Sequence, residues 1–265
     1  MSSRWRRRWP VIVETQDTRP ATADFGFARV AQDEKAPLVA DVFRSVARRY
    51  DLMNDLMSMG GHRLWKDFLI SRSAVRPGQQ VLDVAAGTGD LTRRFADEVG
   101  ERGRVVAIDI NPEMLGLGRT RLVDGGVVGN VDYLIGDAEN LPLRDRQFDC
   151  VCIAFGLRNV TRITSALESM ASMLRPGGRL LVLEFSRPQA DFLARCYDFY
   201  SFNVIPRLGK IVAGDEASYR YLVESIRRHP DPQTLKDMMQ ASGLDDVGYH
   251  NLSGGIVVLH CGFRY

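Results

Sequence analysis

The stretch Val81-Leu82-Asp83-Val84-Ala85-Ala86-Gly87-Thr88-Gly89-Asp90-Leu91 constrains the chain most. Its apolar start suits a parallel strand buried on both faces, and the pattern that resumes through Leu91-Thr92-Arg93-Arg94-Phe95 suits a helix. Between them Gly87 and Gly89 supply backbone freedom and a close approach that a side chain would block. The reading is strand, tight turn, helix, with a nucleotide-like ligand at the turn. The next apolar run, Arg104 to Asp109, ends in an acid about twenty residues past Gly89, where a doubly wound sheet sets a carboxylate against ribose hydroxyls.

The same alternation continues. Apolar runs at Val131–Ile135, Phe148–Phe155 and Leu180–Phe185 are separated by helical patterns at Pro112–Leu122 and Ile163–Leu174, which argues for a parallel sheet with right-handed crossovers. Arg175-Pro176-Gly177-Gly178 stops the last of these helices, because Pro lacks an amide donor and Gly accepts a left-handed turn. Val247–Leu252 and Ile256–Gly262, around Ser253-Gly254-Gly255, read as a closing hairpin. The expected fold is α/β and Rossmann-like, a seven-stranded mixed sheet with helices on both faces. Val39, Val42, Phe43, Val46, Ala47 and Tyr50 recur at helical spacing, a second helix is expected around His62–Ile70, and the two could cover the ligand end of the sheet. Residues 1–35 show no sustained period and read as a mobile or loosely docked basic arm. Residues 36–265 then form one domain, with 188–230 as a helical insertion after the fifth strand, expected to act as a substrate lid.

With 265 residues there is ample core for that domain, and a net charge of +2 gives no global electrostatic case for nucleic acid. Cys150, Cys152, Cys196 and Cys261 lack CxxC spacing and disulfide-scaffold density, which fits buried thiols in a reducing cytoplasm. No metal cluster and no Ser-His-Asp set is evident. No apolar stretch reaches the roughly twenty residues of a membrane span. Arg4-Trp5-Arg6-Arg7-Arg8-Trp9 reads either as a disordered leader or as an interfacial anchor at a membrane's inner face.

The turn itself separates two cofactor classes. A dinucleotide fingerprint wants G-x-G-x-x-G, but the third position holds Thr92. Asp83 followed by Gly87 and Gly89 instead resembles the D-x-G-x-G-x-G turn of S-adenosylmethionine-dependent methyltransferases, with Ala85 in place of the first glycine. Asp109 is then the ribose partner, since an ionised carboxylate accepts from two adjacent hydroxyls. The loop Gly136-Asp137-Ala138-Glu139 corresponds to one that lies beside adenine in class I methyltransferases.

Motifs outside that shared core narrow the resemblance. Tyr50-Asp51-Leu52-Met53-Asn54, His62-Arg63-Leu64-Trp65-Lys66, Phe155-Gly156-Leu157-Arg158-Asn159-Val160, Leu183-Glu184-Phe185-Ser186-Arg187-Pro188 and Tyr219-Arg220-Tyr221-Leu222-Val223-Glu224-Ser225-Ile226 closely resemble the ubiquinone/menaquinone biosynthesis C-methyltransferase family. The resemblance implies methylation of a ring carbon on a polyprenyl benzoquinol, a demethylmenaquinol, or both, with S-adenosyl-L-methionine as donor. It implies Thr88, Asp109, Asp137 and Ala138 as cofactor contacts. Ala154 stands where relatives carry Ser, so a hydroxyl contact there is missing or replaced.

Such chemistry needs positioning, proton removal and exclusion of water more than an enzyme nucleophile. Arg158 is the candidate to stabilise a forming phenolate and to hold a water that takes the proton, Asn159 to orient that water, His62 to act as base, and Tyr50 with Asn54 to close the pocket. Tyr197, Phe199, Tyr200, Phe202, Tyr219 and Tyr221 would line a channel for an isoprenoid tail. Peripheral membrane contact, association with other quinone-biosynthesis proteins and a homodimer are the expected partnerships. Two rivals stay open: another small aromatic acceptor, and a non-catalytic subunit of a quinone-synthesis assembly.

Overall fold

The computed structural model describes residues 22–46, 54–55, 57–58, 60–188, 190–207, 210 and 215–265. The sheet grows from β3 (Gln80–Val84), β4 (Arg104–Asp109), β5 (Val131–Ile135), β6 (Phe148–Ala154) and β7 (Leu174–Phe185), closed by β8 (Asp245–Leu252) and β9 (Val257–Phe263). Its spatial order is β5-β4-β3-β6-β7-β9-β8. The first five pair in parallel, and β9 runs antiparallel between β7 and β8. The order reverses beside β3, so its carboxyl end and that of β6 flank the crevice in which such sheets bind ligands.

Period-two alternation sorts the strand side chains onto two cores. Val81, Val105, Cys150, Cys152, Leu181 and Leu183 face one layer with Trp65, Leu69, Phe95 and Leu222. Leu82, Val84, Ile108, Val151, Ile153 and Val182 face the other with Leu167, Met170, Leu235 and Met239. The helices of the first layer include α1 (Gln32–Val46), α2 (His62–Ser73) and α3 (Asp90–Val99). Those of the second include α5 (Ile163–Met173) and α8 (Pro232–Ala241), while α4 (Pro112–Asp124) joins β4 to β5. Cys150 and Cys152 are core thiols, fully buried, and burial pushes both well up from their ordinary values; Cys261 is partly buried. Among the described residues no His, Cys, Asp and Glu cluster could hold a metal, and no helix is long and apolar enough to cross a membrane.

The expected arm over 1–35 needs correction in its described part. Thr22–Phe25 (β1) and Ala28–Ala31 (β2) form an antiparallel hairpin, and α1 begins at Gln32. The hairpin is fixed by distant partners: Phe25 stacks on Tyr221 with centroids 4.3 Å apart, and the Phe27 amide donates to Glu224 Oε2 at 3.0 Å. Strands of four residues carry too little periodicity to be seen from sequence. Arg4–Trp9 and Tyr50 lie outside the described residues. Between β7 and α8 the described residues include α6 (Asp191–Phe199), a π-helical turn at Tyr200–Val204, and α7 (Glu216–Arg228).

Candidate active site

The turn after β3 takes its shape from residues in the left-handed region: Ala85 (φ 54°), Gly87 (55°) and Gly89 (79°). A Cβ on Gly89 would stand 2.6 Å from Leu122 Cδ1, and one on Gly118 of α4 would stand 2.9 Å from the Gly87 carbonyl oxygen. Helix α4 therefore rests directly on the turn. Ala85 occupies a conformation that costs an L-residue roughly 1–2 kcal/mol, which is the physical reason a glycine suits that position.

Beneath the turn, Asp83 is 2% exposed and accepts from the Thr92 hydroxyl at 2.6 Å and from the Cys152 thiol at 3.4 Å. Burial dominates those bonds and pushes its carboxyl up to about 6. At the end of β4, Asp109 accepts the Gly87 amide on Oδ2 and the Asn111 amide on Oδ1, both at 2.8 Å. Burial raises its carboxyl as well, against those backbone bonds. Asn111 in turn caps α4, accepting from the Glu113 and Met114 amides ahead of a proline that fits the first helical turn. Asp83 and Asp109 are thus braces of the turn, and each Asp109 oxygen keeps a second lone pair for a ligand.

A cavity of about 400 Å³ opens where these strands end, within the range of small-molecule sites. Val84, Ala85 and Gly87 line it from β3, Asp109 and Asn111 from β4, and Asp137 and Ala138 from the loop after β5. Asp137 shapes its own loop by accepting the Glu139 amide at 2.9 Å. The opposite wall comes from Ala154, Phe155, Gly156 and Asn159 after β6, and from Ala36, Val39 and Phe43 of α1. A smaller recess, sharing Ala85, Ala154 and Phe155 with the cavity, holds Asp83, Thr88, Lys66 and Asp90. Lys66 is buried and its Nζ lies 2.7 Å from Asp90 Oδ2.

The wall after β6 is built on strain. Phe155 has φ 57°, a left-handed conformation that is an outlier for a bulky residue. Its carbonyl accepts from Arg158 Nη1 at 2.6 Å, and the same nitrogen lies 2.6 Å from Glu184 Oε1. Glu184 also accepts the Arg158 and Phe185 amides, at 3.3 and 2.9 Å. Both side chains are almost wholly buried, and the Arg158 guanidinium lies 5.6 Å from the Phe185 ring centroid. Asn159, which does line the cavity, accepts from the Tyr221 hydroxyl at 3.1 Å.

Of the residues expected on the cofactor side, Gly87, Asp109, Asp137, Ala138 and Ala154 line the cavity and Asp83 and Thr88 the adjoining recess, while Gly89 lines neither. On the acceptor side only Asn159 among the described candidates lines the cavity. Arg158 is absent from the cavity lining because its guanidinium is engaged by Glu184 and Phe155. His62 is also outside it: its Nε2 is 3.0 Å from Asp55 Oδ1, and burial, then the Lys66 charge, hold it below its usual value. Asn54 is buried away from the lining, its carbonyl taken by Ser58. None of the six expected channel aromatics lines the cavity; Tyr197, Tyr219 and Tyr221 are core residues, and Phe199 and Phe202 are exposed. The helix expected at Val39, Val42 and Phe43 does reach the ligand end of the sheet, as the α1 wall; sequence reasoning missed the roles of Lys66, Glu184 and Tyr221, although all three sit in quoted motifs.

Strand order, the turn after β3 and the acid after β4 define a class I S-adenosylmethionine-dependent methyltransferase. An S-adenosylmethionine-dependent methyltransferase from Aquifex aeolicus shares this fold at a TM-score of 0.54, covering 76% of this chain and 89% of that one at 18% identity. Within that class the chain belongs to the ubiE/COQ5 methyltransferase family, whose model matches residues 29–264. It is 59% identical over 249 residues to the ubiquinone/menaquinone biosynthesis C-methyltransferase UbiE of Erwinia tasmaniensis, and 58% identical to that of Serratia proteamaculans. Each alignment covers 94% of this chain and 99% of the relative.

Proposed function

We infer that this chain transfers a methyl group from S-adenosylmethionine to a ring carbon of a quinol in ubiquinone/menaquinone biosynthesis. The observation that carries this reading is one cavity in which a methyltransferase cofactor turn faces the Phe155–Asn159 wall, in a chain more than half identical to C-methyltransferases of that name. When bound, the cofactor supplies an electrophilic methyl, so no protein nucleophile is required.

The residues present fit that cofactor. Asp109 offers its spare lone pairs to ribose hydroxyls, Asp137 and the Ala138 amide suit an adenine edge, and the glycine turn admits close approach. Lys66, beside Thr88 in the recess, would meet the carboxylate of the methionine end. On the acceptor side Asn159 is the polar side chain placed to orient a quinol hydroxyl. The Arg158–Glu184 pair serves by holding the strained Phe155 turn, not by touching the phenolate. Val39, Phe43 and Phe155 keep water from the reacting carbon.

The test is transfer from labelled S-adenosylmethionine to a demethylated quinol in detergent, read by mass spectrometry of the quinone. Asp109→Ala should weaken cofactor binding roughly 10- to 150-fold, the worth of a charge-assisted hydrogen bond. No transfer with cofactor binding intact would move the reading to another aromatic acceptor; no cofactor binding would make the chain a non-catalytic subunit.

A further inference from the structure

Away from the cavity, exposed aromatic rings gather on the outer side of the segment between β7 and α8. On α6, Phe192 is 81% and Phe199 65% exposed. Their spacing, with the exposed Arg195 between them, puts all three on one helix face. Phe202, in the following turn, stacks on Phe27 at the tip of the β1–β2 hairpin with centroids 6.1 Å apart. Both of those rings also reach solvent. Four exposed phenylalanines from two elements far apart in sequence form more than the scattered apolar surface of an ordinary domain.

Guanidinium groups flank the rings. Arg228 lies 5.7 Å from the Phe27 centroid and Arg227 5.7 Å from that of Phe202. Arg227 is paired with Asp198, and Arg29 with Asp24. Arg195 and Arg228 are exposed and make no ion pair among the described residues, against one exposed acid on α6, Asp191. Apolar rings beside unpaired cations complement an anionic bilayer, whose headgroups attract the charge while the boundary accepts the rings. The patch is also joined to the site: Phe25, two residues before Phe27, stacks on Tyr221, which bonds Asn159 at the cavity wall.

We propose that Phe27, Phe192, Phe199 and Phe202, with Arg195 and Arg228, form the surface by which this protein docks on an anionic lipid bilayer. The proposal rests on the reading of the acceptor as a lipid quinol. It assigns membrane contact to this face and not to the Arg4–Trp9 segment. Docking here would seat the β1–β2 hairpin, and through it the α1 wall of the cavity, against the layer that holds the acceptor.

The experiment is flotation of the full chain with vesicles of phosphatidylcholine alone and of equal parts phosphatidylcholine and phosphatidylglycerol. The protein should float with the anionic vesicles and release as salt is raised. Phe192→Ser with Phe199→Ser, and separately Arg195→Glu with Arg228→Glu, should each lower partitioning by about tenfold or more. Cofactor affinity should be unchanged in both, which establishes folding. Trp5→Ser with Trp9→Ser should float like the parent. Failure of the parent to float, ring variants that float equally, or loss of binding on changing the two tryptophans alone would overturn the proposal. So would self-association of the parent that the ring variants abolish while vesicle binding persists, because the occupant would then be a second copy. Transfer to a short-tailed quinol in solution is measured in parallel: its loss in the parent with flotation intact defeats the catalytic reading, whereas normal transfer without flotation defeats only the docking surface.

Discussion

The two walls of the cavity are made differently. On the cofactor side, the ends of β3 and β4 carry Asp83 and Asp109, two buried carboxylates satisfied by amides of the adjoining turns, a hydroxyl of α3 and a thiol of the neighbouring strand β6. On the acceptor side, the turn after β6 holds a strained Phe155 through an arginine whose counter-ion, Glu184, comes from a neighbouring strand. One wall is a local property of strand, turn and helix; the other exists only once distant segments have met. Damage to the first should appear in cofactor affinity and in pH dependence, and damage to the second in stability and acceptor turnover.

The largest expected effect tests the second wall. Glu184→Ala leaves a buried guanidinium unpaired, and removing one partner of such a pair costs about 3–5 kcal/mol. Denaturant unfolding should show that loss, with turnover falling more than cofactor affinity. Replacing Arg158 and Glu184 together by Met and Leu should recover most of the stability, because a well-packed apolar pair stands in for the buried ions. If the double variant also regains turnover, Arg158 holds no more than the turn. If it stays inactive with its fold and cofactor binding restored, packing alone does not replace the guanidinium, and its hydrogen bond to the Phe155 carbonyl is needed for turnover.

The next effect tests the first wall by titration. Burial raises the Asp83 carboxyl from 3.8 to about 6 in the folded chain. Across that window the native state holds more protons than the unfolded state, so Asp83 subtracts stability as pH rises from below 4 to above 6. Asp83→Asn does not titrate. The stability of the variant relative to the parent should therefore climb by up to about 3 kcal/mol between pH 4 and pH 7. A difference that stays constant with pH would show that Asp83 is no more costly to ionise when folded than when unfolded.

The same contrast explains what could be read from the chain beforehand. Gly87, Gly89 and Asp109 were legible because a strand, its turn and the next strand's terminal acid keep fixed spacings whatever surrounds them. The arrival of Gly87 and Asp109 at one cavity with Asp137, Ala138 and Ala154 follows from parallel strand order. Arg158 was legible as a motif but not as a geometry, since nothing local says that its guanidinium turns towards Glu184. His62 was drawn into the site by its ordinary titration range, yet its ring sits against Asp55. The hairpin at Thr22–Phe25 and Ala28–Ala31 went unseen because its order depends on Tyr221 and Glu224. Apart from His62, whose partner is seven residues away, the missed features depend on side chains meeting across longer sequence separations.

The smallest effect probes where the two walls are joined to the rest of the molecule. Tyr221 stacks on Phe25 and donates to Asn159, so Tyr221→Phe keeps the ring contact and removes one neutral hydrogen bond, worth about 0.5–1.5 kcal/mol. The amide of Asn159 would then be free to rotate at the cavity wall. Turnover of the quinol should fall several-fold, a barrier change of about 1 kcal/mol, while cofactor affinity measured by calorimetry holds. Equal losses in cofactor affinity and turnover would mean that the two walls move together, and the division between a local cofactor wall and an assembled acceptor wall would fail at the one bond that ties Asn159 to α7.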